Sequence, residues 1–122
     1  MRRAAAGVLG LAWSMAAAGA APGDDAVAKG EMLLEKNCAR CHAIGKTGDS
    51  KHEKAPPFRQ VVTRYPLDNL AEALAEGIVS GHPDMPEFTF EPAEIDAILS
   101  YLDKLKSDTH GGEAKPGDAK QQ

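Results

Sequence analysis

The sequence predicts an all-α fold, about three main helices wrapped with loops around a central non-protein group. Three observations lead there. Apolar residues recur at i, i+3, i+4 spacing in three stretches, and no stretch alternates as a strand would. Long segments with glycine and proline separate those stretches. The 122 residues include only six aromatics, Trp13, Phe58, Tyr65, Phe88, Phe90 and Tyr101, and Trp13 lies in a segment expected to be removed. A single small domain with so few large side chains buries little surface, so a staple, metal or cofactor is expected in its middle.

The elements follow in chain order. Residues 1–20 read as a signal peptide: Arg2 and Arg3 form a basic start, residues 4–15 an apolar run, and Ala18-Gly19-Ala20 a small-x-small cleavage signature. A retained membrane anchor is the alternative, but a run built mostly of Ala and Gly inserts weakly. The domain is therefore expected over residues 21–106, outside the cytoplasm in the periplasm. Asp24 or Asp25 can cap a first helix reaching about Asn37, with Val27, Gly30, Leu33 and Leu34 on one side. Residues 43–65, with Gly45, Gly48, Pro56 and Pro57, read as a long irregular stretch, of a kind that compact domains keep for wrapping or function. Pro66 and Leu67 open a second helix with Leu67, Leu70, Ala71, Leu74 and Ile78 in register, and Gly77 is placed to end it. Residues 78–90 form a second loop, blocked from helix by Gly81, Pro83 and Pro86. The third helix starts at Pro92, has Glu94 in its first turn, and carries the stripe Ile95, Ile98, Leu99, Leu102 and Leu105. Residues 107–122 read as a disordered polar tail.

Charge is unevenly spread along this chain. Without Arg2 and Arg3, 12 Lys and Arg face 18 Asp and Glu, for a net charge of −6. Residues 36–64 hold seven basic residues against Asp49 and Glu53, whereas residues 65–108 hold ten acidic ones against Lys104 and Lys106. Ordinary solvated surface is one reading. A dipolar molecule that orients as it meets a partner is the other. The acidic total, with no basic stripe interleaved with aromatics, argues against nucleic acid.

The two cysteines stand as Cys38-Ala39-Arg40-Cys41-His42. C-x-x-C-H is the signature of covalent c-type haem attachment: two thiols on one turn can form two thioethers to one porphyrin, and the adjacent His42 becomes the proximal iron ligand. Competing chemistries lack their context. A thioredoxin-like dithiol would follow a strand, and a structural zinc site would need a second ligand pair. Of the methionines beyond residue 20, Met32 lies on the helix that leads into the motif and cannot easily reach the opposite haem face. Met85 lies in Gly-His-Pro-Asp-Met-Pro, stiffened by Pro83 and Pro86. His82, three residues away, is the competing sixth ligand, and spacing alone admits either. Met85 is favoured for the rigidity of its loop together with the family resemblance that follows, and a thioether would raise the potential. His52 and His110 are expected on the surface.

This order of helix, C-x-x-C-H, proline-bearing loop, helix, Met85-Pro86 and helix resembles the small monohaem class I cytochromes c of bacteria, over about residues 24–106. The resemblance implies the cytochrome c fold around one covalent haem c, with His42 and Met85 as axial ligands. It implies that Gly30 and Leu34 meet Ile98 and Tyr101. It also implies that a proline carbonyl, of Pro56 in preference to Pro57, bonds the proximal histidine, with Phe58 packing on the haem. The sequence lacks the Trp that many relatives place near a haem propionate; Arg59, Arg64 or Tyr65 could serve instead.

The implied function is one-electron outer-sphere transfer between redox proteins, with no small-molecule substrate, by a monomer that touches a membrane only if its N-terminal segment is retained. A cytochrome subunit stably bound to a dehydrogenase or oxidase shares the chemistry and would show a large exposed apolar patch. From another class come a five-coordinate haem sensor or peroxidase-like protein, and a haem-free thiol/disulfide protein. A visible spectrum separates most of these, while co-purification marks the bound subunit.

Overall fold

The structure, a computed structural model, describes residues 22–77 and 82–110. The expected signal peptide, Ile78, Gly81 and residues 111–122 lie outside the described residues. Four helices occur within them and no strand: α1 (Pro22–Asn37), α2 (Phe58–Arg64), α3 (Leu67–Glu76) and α4 (Pro92–His110).

α1 ends where the sequence places it but starts earlier. It begins at Pro22, so Asp24 and Asp25 are first-turn residues rather than caps. There their carboxylates complement the positive end of the helix dipole. α3 runs to Glu76 and stops at Gly77, whose φ of 97° is open to a residue without Cβ. α4 opens with a reciprocal arrangement in which the backbone N–H of Glu91 donates to the Glu94 carboxylate at 3.1 Å. It continues through residues 107–110, past the boundary expected at Lys106, with Thr109 Oγ1 donating to the Leu105 carbonyl at 2.8 Å.

α2 is a correction to the reading of residues 43–65 as irregular throughout. It is a seven-residue helix that buries only Val62. Pro57 serves as its N-cap, and the Pro57 carbonyl accepts the N–H groups of Gln60 and Val61.

The core is one cluster of Leu34, Val62, Leu74, Phe90, Ile95, Ile98, Tyr101, Leu102 and Leu105. The packing of α1 on α4 is its most extensive helix contact, and α2 and α3 lean on α4 from elsewhere. Gly30 makes the α1–α4 approach possible. A Cβ there would collide with the Ala97 carbonyl oxygen and stand 2.9 Å from Tyr101 Cβ. Leu34, Ile98 and Tyr101 are all in the core, and what faces Gly30 most closely is the backbone of Ala97 together with Tyr101 Cβ.

Candidate functional site

The end of α1 tightens directly into the attachment turn. The N–H of Cys38 and of Ala39 both donate to the Leu34 carbonyl, at 2.7 and 3.0 Å. The Cys38 carbonyl in turn accepts Cys41 N–H at 3.0 Å and His42 N–H at 2.9 Å. Cys38, Cys41 and His42 are therefore held on one compact turn, and all three side chains are half-buried. Burial, and Cys41 beside it, push the Cys38 thiol up to about 11. A thiol raised in this way is neutral near pH 7.

His42 is oriented by its second nitrogen. Nδ1 lies 2.7 Å from the Pro56 carbonyl oxygen. A carbonyl can only accept, so Nδ1 carries the proton and Nε2 keeps its lone pair for a metal. Of the two prolines weighed from sequence, the geometry selects Pro56. The Phe58 ring stands 5.3 Å from the His42 ring, centroid to centroid, and tilted by 53°.

The segment after His42 is stitched into a closed loop around this bond. His52 N–H donates to the Cys41 carbonyl at 3.2 Å, and Phe58 N–H to the Ala43 carbonyl at 2.9 Å. Ala43 N–H reaches Ser50 Oγ at 3.0 Å. Arg59 donates to the Gly48 carbonyl at 2.8 Å, and Tyr101 Oη donates to Ile44 O at 3.1 Å from α4. Burial first, then Glu31 and Glu35, raises the Tyr101 hydroxyl above its ordinary value, so it stays a donor. Arg64 meets Gln60 at 3.5 Å and Tyr65 is exposed; neither contact assigns a propionate partner.

His52 departs from expectation. It is half-buried rather than on the open surface, because its ring faces the loop that carries Met85. Its Nε2 lies 3.5 Å from Asp84 Oδ2, and its ring meets His82 edge-on with centroids 5.6 Å apart. Sequence offered no signal for this contact, since the two loops are some thirty residues apart. The contact links Met85, next to Asp84, to the loop pinned on the attachment turn. Met85 is half-buried, in a turn closed by its own N–H to the His82 carbonyl at 3.1 Å. Met32 is 59% exposed on α1, away from any such role, and His110 is exposed as expected.

The donors and surroundings fit haem c. Two thiols share a turn with a histidine whose Nε2 is free of the Pro56 bond. Cys38, Phe58, Leu67, Leu70, Ala71 and Phe88 pack on the core yet stay only half-covered, the apolar surface that a flat macrocycle would cover. A bare metal site fits worse: among the described residues no group of three or more His, Cys, Asp or Glu is arranged to hold an ion.

The family model described as Cytochrome c matches residues 27–106, from within α1 to the last turns of α4. No curated protein matches the chain. An all-helical fold, an attachment turn and an oriented histidine all fall inside the matched span, and the chain thus belongs to the cytochrome c family, with haem c as its cofactor.

Proposed function

We propose that the protein is an exported, monomeric, monohaem electron carrier, with thioethers at Cys38 and Cys41 and with His42 and Met85 as axial ligands. Electron transfer between redox proteins, rather than turnover of a substrate, follows from the family; the ligand pair, the solitary state and the periplasmic setting are the finer reading. When bound, haem c supplies a one-electron Fe(III)/Fe(II) couple. The observation that carries the reading is the 2.7 Å bond from His42 Nδ1 to Pro56 O. It sets the ring's orientation and strengthens Nε2 as a ligand in either oxidation state.

The rest of the chain limits movement around that ligand. The loop closed by Cys41, Ala43, Ser50 and Phe58 holds Pro56 in place, so little rearrangement need accompany gain or loss of an electron. His82 is engaged edge-on with His52, which favours Met85 over His82 as the second ligand. Among the described residues, Met32 and Tyr65 are the large apolar side chains in the open. No helix among the described residues is long and apolar enough to cross a membrane.

Visible spectra of the oxidised and reduced protein test the ligand pair. The weak far-red band of a ferric iron–thioether bond is expected in the wild type and should vanish in Met85→Ala, with a lower midpoint potential. Retention of the band in Met85→Ala, or its replacement in the wild type by a bis-histidine spectrum, would overturn this reading.

A further inference from the structure

We propose that His52 is a positioning residue for the sixth ligand: by clasping Asp84 it steadies the turn that presents Met85. The inference rests on Met85 being that ligand. Both sides of the clasp are visible in the geometry. On one side, the backbone of His52 is anchored twice, its N–H on the Cys41 carbonyl at 3.2 Å and its carbonyl on the Ala55 N–H at 3.0 Å. Its ring is oriented too, because Nδ1 accepts the Lys54 N–H at 3.2 Å. A ring that accepts there carries a proton on Nε2, and Nε2 lies 3.5 Å from Asp84 Oδ2. At 3.5 Å the contact is an electrostatic attraction between a polar ring nitrogen and a carboxylate, longer than a charge-assisted hydrogen bond.

On the other side, Asp84 adjoins Met85 in a turn closed by Met85 N–H on the His82 carbonyl at 3.1 Å. The chain beyond is tied to α3 by Phe90 N–H on the Leu74 carbonyl at 3.0 Å and by the Glu87 side chain lying over Gly77. Between those ties and the attachment turn, His52 reaches both His82 and Asp84. A methionine side chain has three rotatable bonds and a weak donor atom. Holding its backbone turn reduces the conformations lost when the thioether binds iron.

The test uses ferric holoprotein and the rate at which added imidazole displaces the thioether, read as bleaching of the far-red band. Imidazole can bind only once Met85 has left, so this rate reports how firmly the turn is held. In His52→Ala and in Asp84→Ala the rate should rise about two- to fivefold, the range of a partly exposed charged contact. The double variant should be no faster than either single one. His52→Gln, which keeps an N–H at the reach of Nε2, should restore the wild-type rate. Amide exchange over residues 82–88 should rise in His52→Ala while that of residues 95–105 stays unchanged. If both single variants keep the wild-type imidazole rate, or if their effects add, the clasp is refuted even should the melting temperature fall. A wild-type protein with no far-red band refutes instead the ligand assignment on which the clasp rests.

Discussion

Gly30 shows how much one missing Cβ decides. α1 and α4 meet backbone to backbone there, so an alanine methyl would be driven into the Ala97 carbonyl and towards Tyr101 Cβ. Neither obstacle is the end of a flexible side chain, and relief requires the two helices to move apart. Gly30→Ala should cost about 3 kcal/mol or more, at the severe end of overpacking. Thermal unfolding of the haem-bearing protein would measure it, and a melting temperature equal to wild type would mean that the helices do not cross at Gly30. Tyr101 exploits the same crossing. Its ring packs in the core while its hydroxyl reaches Ile44 O, joining the helix pair to the loop that follows the attachment turn.

Among the helices, α4 organises the others, and its C-terminal end holds that same loop. Asp108 takes Lys46 Nζ at 2.7 Å from the loop and Lys104 Nζ at 3.0 Å from one turn earlier. The hydrogen bond from Lys46, then that from Lys104, holds the Asp108 carboxyl below its ordinary value of 3.8. A carboxyl lowered in the folded state stabilises that state above the unfolded value. The contribution is lost as pH falls from about 3.8 through the lower folded value. Acidification through that window should raise amide exchange in residues 106–110 before residues 95–105 respond. Asp108→Asn should show the raised exchange already at neutral pH; matching profiles in the two proteins would contradict the assignment. α2 presents the opposite case. Its seven residues hold a single buried side chain and follow a proline doublet, so its helicity depends on packing against α4 rather than on a periodic stripe.

Across the whole molecule, the basic character of residues 36–64 is narrower than the count of charges suggests. Lys46 is paired with Asp108, and Arg59 is spent on the Gly48 carbonyl. Lys51 and Lys54 are exposed and lie in the loop that orients His42. If this loop guides partners to the haem edge, anionic reactants should feel those two charges most. Lys51→Glu/Lys54→Glu should slow oxidation by hexacyanoferrate about three- to tenfold at low salt and flatten its dependence on ionic strength. An unaltered salt dependence would place docking elsewhere on the surface.

Much of this protein was legible before folding was considered, because the informative features are local. C-x-x-C-H needs only five consecutive residues to bring thiols and imidazole together, and the stripes of α1, α3 and α4 are read along single helices. Gly77 ended α3 as its position suggested, and Gly30 faced the last helix. What remained depended on segments distant in the chain. The choice of Pro56 over Pro57 was settled by which carbonyl points at His42 across 14 residues. The helix at Phe58–Arg64 exists because α4 offers Val62 a place to be buried. The approach of His52 to Asp84 carries no pattern in the sequence, since it arises only when two proline-bearing loops are brought together by the helices beneath them. Local spacing specifies the chemistry of attachment, whereas the orientation of His42 depends on a hydrogen bond that only the folded chain can close.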